Sequence, residues 1–404
     1  MIHFIDQTSE KNHHAVFNSS CIKMLQLIYP SQTITHYGIA SNQLKTAELL
    51  AQSELEQVIF NPIYNPKTTS SNKLIRFLNL IRKERNRYNM FEKIFESCSQ
   101  SDLIFHSITT FTAFYGLKKL SIKFETPVIA TLHGDLDFLY NTTNVIEKLV
   151  AFVYKKNFKL VSPNFYYLLL NKISKHALIS SGFLKQNEIL EIDHPYNSLN
   201  ICEKNKNSID QNPITFGHIG SMEVVRKRSH LIYELAKKFE CEINKSELNF
   251  NVVGLVTPEI LVFKNSLVNE IVGNQTPNKP GYLDRFTYEN EMNKLDYSVF
   301  FYPSDQYIFR TSGAIADAIG AALPFIVLKH PIFDYIFSVA GNVGYVCDNL
   351  DEIVQIINKI NLREPQLLIE YQTQRNNLLL FQNNISVPTV ALDLKAQMIK
   401  YGLY

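Results

Sequence analysis

Short apolar runs of β-branched and aromatic residues alternate along the chain with longer stretches whose apolar positions recur at helical spacing. In the N-terminal half, Ile2–Ile5, Ile34–Gly38, Val58–Phe60, Leu103–Ser107, Pro127–Thr131, Leu160–Ser162, Ala177–Ile179 and Ile189–Ile192 read as strands. Between them, helices are predicted near Ala15–Ile28, Ser41–Gln52, Asn72–Ser97, Phe111–Phe124, Thr143–Lys155 and Phe165–Lys172. This alternation predicts parallel βαβ units wound into one sheet.

The stretch between Pro195 and Pro213 is polar with few apolar anchors and reads as a linker. The alternation then resumes. Strands are expected at Ile214–Ile219, Leu248–Val253, Glu270–Val272, Tyr297–Tyr302, Pro324–Leu328 and Gly344–Val346. Helices are expected at Ser229–Phe239, Pro258–Val268, Tyr288–Leu295, Gly313–Ala321, Pro331–Ser338, Leu350–Ile360 and about Glu364–Leu380. The predicted class is α/β, with Rossmann-like doubly wound domains at 1–198 and 212–385. A last helix within 386–404 is expected to cross back to the N-terminal domain. The length of 404 residues suits two cores of about 180 residues better than one.

Composition narrows the function classes. The 40 basic residues nearly cancel the 38 acidic ones, so no bulk affinity for nucleic acid is expected. The chain opens on a strand-like run without a basic leader, and no stretch approaches the length of a membrane span, which predicts a cytoplasmic protein. The 5 cysteines are scattered and lack metal-ligand spacing, so they are read as ordinary buried thiols in a reducing compartment.

Three constellations carry candidate chemistry. The first is Arg310-Thr311-Ser312-Gly313, where small residues open an Ala-rich helix through Asp317. Such a start presents unpaired N–H groups and a positive dipole end to a phosphate, and Arg310 adds a charge. Its plain alternative is a Ser/Thr cap on a tightly packed helix. In the second, strand Ile214–Ile219 runs into Gly220-Ser221 and the cationic Arg226-Lys227-Arg228. A glycine turn followed by cations can cradle a diphosphate, with Lys227 as the point charge, although a solvated basic run gives the same pattern. The third follows strand Pro127–Thr131, whose carboxyl end leads into His133, Asp135 and Asp137, where ligands of α/β sheets sit. Either aspartate could serve as the acceptor-side base of an inverting transfer. No metal-ligand triad is apparent, and neither a metal nor a cofactor is expected. The loop after the first strand, with Thr8, His13 and His14, reads first as a solvated polar loop and otherwise as a contact on the acceptor side. The Arg- and Lys-rich segment 73–88 has apolar residues at helical spacing, a pattern found in helices that lie on anionic membranes and in helices packed on a sheet.

Taken together, Gly281-Tyr282-Leu283, Tyr288–Asp296, Val299–Pro303 and the Thr-Ser-Gly helix with its Pro324–Val327 strand resemble the nucleotide-sugar glycosyltransferases of the GT-B fold, in particular the bacterial retaining mannosyl- and glucosyltransferase group. The resemblance implies two domains facing a cleft and a UDP- or GDP-sugar donor. It assigns the nucleobase to Tyr282 and Leu283, the diphosphate to Thr311, Ser312 and Lys227, the donor ribose to Asp317 and a sugar contact to His133. It also implies retention, a glycan or lipid-linked glycan acceptor, and a place in bacterial surface polysaccharide or lipopolysaccharide assembly, with peripheral contact at the inner membrane. Two positions depart from the family pattern: Phe309 stands where a glutamate is usual, and Ser221 where an arginine is. The absent acid also fits a non-catalytic subunit of the same fold.

Overall fold

The computed structural model describes residues 1–64, 73–132, 136–142, 144–196, 209, 213–273, 281–305, 308–310 and 312–404. The chain divides into two compact units. One comprises Met1–Asn197, Phe309–Thr311 and Ile385–Tyr404, and the other Ser198–Ile308 and Ser312–Asn384.

In chain order the first unit contains β1 (Ile2–Asp6), α1 (Ala15–Ile28), β2 (Ile34–Gly38), α2 (Ala40–Ala47), α3 (Gln52–Leu55), β3 (Val58–Pro62) and α4 (Lys73–Ser97). It continues with β4 (Leu103–Thr109), α5 (Ala113–Phe124), β5 (Val128–Leu132), α6 (Val145–Lys159), β6 (Phe165–Leu169), α7 (Ser174–Ser180) and β7 (Ile189–Glu191). The strands form a parallel seven-stranded sheet in the order β3-β2-β1-β4-β5-β6-β7. Strands β1, β4, β5 and β6 are buried at every position because helices cover both faces. At the edge, β3 is mostly exposed and ends in Pro62, which lacks the N–H an inner strand needs.

The second unit contains β8 (Ile214–Ser221), α8 (Val224–Lys227), α9 (Leu231–Lys238), α10 (Glu240–Asn244), β9 (Leu248–Leu255), β10 (Val268–Val272) and α11 (Arg285–Met292). After these come β11 (Tyr297–Phe300), α12 (Gly313–Gly320), β12 (Phe325–Leu328), α13 (Pro331–Ala340), β13 (Gly344–Cys347), α14 (Leu350–Asn361) and α15 (Pro365–Ile385). Its six strands are parallel in the order β10-β9-β8-β11-β12-β13. The predicted α/β class and the two doubly wound sheets are therefore present. Helix α16 (Val387–Lys400) lies in the first unit, where Val387, Val390, Leu394 and Met398 share a core with Phe17, Cys21 and Leu25 of α1.

Several local expectations are corrected. The predicted helix Phe165–Lys172 is strand β6, and the predicted strand Leu160–Ser162 is the loop before it. Phe165 and Tyr167 meet Phe114 of α5 on one side of the sheet, while Tyr166 meets Tyr401 on the other. A strand buried on both faces has no apolar-polar alternation to betray it. Residues Ala177–Ile179, predicted as a strand, lie in α7, and the predicted helix Pro258–Val268 is a short 3-10 turn over Pro258–Phe263 that leads into β10. The thiols also differ from expectation: Cys21 and Cys347 are buried, but Cys98 is half-buried and Cys241 is exposed on the polar helix α10. Among the described residues no helix is long and apolar enough to cross a membrane.

Among the imidazoles that the two sheets bury are those of His36, His106 and His218. Burial pushes them down from 6.5 to about 4, about 3 and about 4, so the native state holds them neutral. Between those values and 6.5 the unfolded chain binds the extra protons, so stability falls as pH drops through that window. Denaturant unfolding at pH 7.5 and pH 5 is expected to show a loss on the order of 1–2 kcal/mol per buried histidine. Equal midpoints at the two pH values would contradict the assignment.

Candidate functional site

In a doubly wound parallel sheet the strand order reverses once, and the carboxyl ends of the strands beside that point open a crevice. In the second unit the reversal lies between β8 and β11. Strand β8 ends at Gly220 and Ser221, and helix α12 follows β11. Gly220 has φ +89, and a Cβ there would lie 2.8 Å from the Cβ of Ala314 in the first turn of α12. Only glycine permits both this backbone conformation and this approach. The neighbouring strand repeats the constraint, because Gly254 has φ +143 and a Cβ on it would lie 2.3 Å from the carbonyl oxygen of Gly220.

The start of α12 is fixed from below. Ser312 caps the helix by accepting from the N–H of Ile315, and its buried hydroxyl shares a 2.9 Å hydrogen bond with Tyr302, two residues past β11. Gly313, the first helical residue, is exposed, and a Cβ there would meet nothing within 4 Å. Its N–H and that of Ala314 have no intrahelical acceptor. The positive end of the helix dipole thus meets open space at a residue without a side chain, while Ala314 to Gly320 are buried behind it. This arrangement admits an oxyanion.

Lys227 ends helix α8 and is 6% exposed. Its Nζ donates to the carbonyl of Ser221 at 3.0 Å and lies 3.7 Å from the Glu223 carboxylate, which holds the ammonium under the β8 turn. Arg226 is exposed and pairs with Glu223 at 2.7 Å. The predicted members Gly220, Ser221 and Lys227 are therefore joined in one local structure with Ser312 and Gly313 through the Gly220–Ala314 approach, whereas Arg226 faces solvent.

Asp317 lies in the middle of α12, with its carboxylate engaged by Arg285 at 2.9 Å and by the Tyr288 hydroxyl at 3.0 Å. Burial and the adjacent carboxylate hold Tyr288 well above its ordinary pKa, so it stays a donor. Arg285 escaped the sequence reading, although it follows the Gly281-Tyr282-Leu283 loop by only two residues, and Tyr288 entered it only as the start of a matched segment, without a role at the site. Tyr282 is 61% exposed, leaving an aromatic face free, and Leu283 is half-buried. That loop passes so close to the end of β10 that a Cβ on Gly273 would lie 2.3 Å from the carbonyl oxygen of Tyr282.

In the first unit the reversal lies between β1 and β4. Asp6, at the end of β1, accepts from the amides of Thr8 and Ser9 at 3.0 Å each and from Asn18 Nδ2 at 2.7 Å. Burial acts to raise its pKa, but these donors outweigh burial and hold the carboxyl below its usual value. Asn42 secures the same loop by donating to the carbonyls of Lys11 and His13. Thr8 is tied to Asp6 by its hydroxyl as well, His13 is exposed, and His14 takes a left-handed conformation (φ 56) as it enters α1.

His133, Asp135 and Thr311 lie outside the described residues. Asp137 is buried; its Oδ2 accepts from Arg310 Nε at 3.2 Å and its Oδ1 from the Phe309 amide at 3.3 Å. Phe309 stacks on Tyr140 with ring centroids 4.9 Å apart. The candidate base and the candidate phosphate cation are thus partners of each other. One cluster was invisible in the sequence: His3 of β1 and Cys98 and Asp102 of the loop between α4 and β4 bring one ligand atom each within 4.8 Å of one another. Asp102 there also accepts from the Ser99 amide and from the Met1 amine.

No protein-family model matches the chain, and a search of curated proteins finds no match. Solved structures do match it over nearly its whole length. HepE from Anabaena, solved with UDP and glucose, is similar with a TM-score of 0.67 and 14% identity over 99% of this chain and 99% of that one. The sucrose-phosphate synthase of Thermosynechococcus elongatus gives 0.64 and 11%, covering 99% and 98% of the two chains. A glycosyltransferase from Rickettsia africae gives 0.61 and 12%, covering 99% and 97%. At these identities the likeness establishes the fold, which is GT-B.

Replacement of Gly220 by alanine is expected to lower the stability of the second unit by roughly 2 kcal/mol, from backbone strain plus the clash with Ala314. Denaturant unfolding followed by tyrosine fluorescence measures this; an unchanged midpoint would show that the β8 turn and α12 are not in the close contact described.

Proposed function

We propose that this chain is a glycosyltransferase that binds the diphosphate of a nucleoside-diphosphate sugar at the start of α12. The observation that carries the reading is the exposed, unobstructed Gly313 at a capped helix start, with the Gly220 turn against its first turn and Lys227 beneath that turn. When the glycosidic bond to the diphosphate breaks, negative charge grows on the leaving oxygen, and a fixed helix dipole with a nearby ammonium lowers the energy of that state. These groups supply the charge that a metal supplies in other transferases, so the reaction is expected to persist in chelator. The solved structures of HepE with UDP and with UDP-glucose support the choice of UDP over GDP as the donor nucleotide.

The exposed ring of Tyr282 suits stacking on the base. Asp317, held by Arg285 and Tyr288, is the candidate for the ribose hydroxyls, and it must share its oxygens with those donors to bind them. The carboxyl-end loops of the first unit, with Thr8, His13, His14, His133, Asp135 and Asp137, are assigned to the acceptor, which the family resemblance makes a glycan or lipid-linked glycan of bacterial surface polysaccharide assembly, with retention at the sugar. Asp137, tied to Arg310, is better suited to orienting the 309–310 segment than to removing a proton, which favours retention over inversion by that residue. An anionic membrane surface at 73–88 draws support from the exposed Ile75, Leu78 and Ile81, but Arg87 turns inward to Glu84, Thr110 and Thr112. Phe309, buried and stacked where the family has an acid, favours one second reading, a GT-B subunit that does not turn over sugar donors.

Thermal unfolding with UDP, GDP and their sugars is the direct test. A single nucleotide at a hundredfold excess over its Kd is expected to stabilise the protein by about 3 kcal/mol. Gly313→Leu, which projects into open space, is expected to remove that shift without lowering the ligand-free midpoint, and Lys227→Met to weaken binding by about tenfold or more. Nucleotide binding that survives Gly313→Leu would place the donor elsewhere. Binding without donor hydrolysis or transfer would leave the subunit reading in place of the enzyme.

A further inference from the structure

Helix α6 divides its surface sharply. Its inner stripe, Val150, Ala151, Tyr154, Asn157 and Phe158, is buried, with Tyr154 against Phe114 and Phe158 against Tyr167. Asn157 Nδ2 closes the contact by donating to the carbonyl of Phe111 at 2.8 Å. The outer stripe begins with four apolar residues in solvent: Val145 is 81% exposed, Ile146 74%, Leu149 60% and Phe152 55%. It ends in three exposed lysines, Lys155, Lys156 and Lys159, with Lys148 among the apolar residues and Lys185 alongside. A row of this kind is unlike the scattered apolar residues of an ordinary surface.

The lysines are arranged around aromatic rings. Lys156 Nζ lies over the ring of Phe152, 5.5 Å from its centroid, and Lys155 Nζ over that of Phe183 at 5.6 Å. Between α6 and the segment after α7 is an open hollow of about 500 Å³ lined by Phe152, Lys155, Lys159, Phe183 and Lys185, with Glu188 as the one acid. The Glu188 carboxylate is engaged by the amide of Lys185.

We propose that the outer face of α6 docks the chain on an anionic phospholipid surface. Val145, Ile146, Leu149 and Phe152 enter the boundary between headgroups and acyl chains, and the lysine cluster holds lipid phosphates in and around the hollow. A bilayer offers an apolar layer and a plane of anions at once, which is what this face lacks. A second copy of the chain is a poor occupant, because a two-fold contact through this face would oppose one lysine cluster to another. The inference does not depend on the donor site. It adds a second helix to the surface suggested for 73–88, since α4 and α6 flank α5 in the same helical layer.

Co-sedimentation of the whole chain with phosphatidylcholine vesicles, with and without phosphatidylglycerol, tests it. The wild type is expected to bind only the anionic vesicles, less so as salt rises. The charge variant Lys155→Glu/Lys156→Glu/Lys159→Glu and the apolar variant Leu149→Ser/Phe152→Ser should each weaken binding at least about tenfold. The control Lys237→Glu/Lys245→Glu, at exposed positions of the second unit, should retain most of it. All substitutions are at exposed positions, and circular dichroism checks the fold of each variant. Absence of vesicle binding overturns the proposal, as does binding that both α6 variants retain. Self-association that both α6 variants abolish, with no vesicle binding, overturns it in favour of a contact between copies.

Discussion

The donor-side architecture rests on one close approach, that of the β8 turn to the first turn of α12. Gly220 takes a left-handed conformation and leaves no room for a Cβ against Ala314, and Gly254 does the same one strand over against Gly220 itself. With the turn drawn in, the Ser221 carbonyl holds Lys227, and the capped start of α12 is left with a bare glycine toward solvent. Everything proposed for this unit follows from a helix dipole and an ammonium held by packing. Charge stabilisation that is already in place costs little reorganisation when the leaving group departs.

The first unit solves a related problem differently. Its switch-point loop is held by side-chain polar groups, with Asp6 and Asn42 collecting the amides and supplying the donors that fix Thr8 to His13. In the same unit, Asp137 draws Arg310 and the Phe309 amide to itself. Phe309 thereby acquires a structural task, stacking on Tyr140, where the family pattern has an acid.

Much of this was legible in the sequence because parallel βαβ units write their alternation into the chain, and because glycine at a strand end and serine at a helix start have few other uses. The failures have physical causes. Strand β6 is aromatic on both faces, so it carried no period of two, and Ala177–Ile179 was too short for its periodicity to decide between helix and strand. The pairing of Asp137 with Arg310, the Arg285–Tyr288 grip on Asp317 and the approach of His3 to Cys98 and Asp102 join residues distant in sequence, and no spacing rule marks such pairs. The exposed face of α6 was missed for another reason. Its apolar residues occur at helical spacing, which reads as core until burial shows which stripe faces inward.

The central claim is that the diphosphate of a nucleotide sugar sits on the start of α12. A crystal structure of the protein soaked with UDP tests it most directly. The account predicts a phosphate oxygen within hydrogen-bond distance of the Gly313 or Ala314 amide, with the Lys227 ammonium facing the same diphosphate. Ordered UDP bound with its phosphates away from α12 would contradict it.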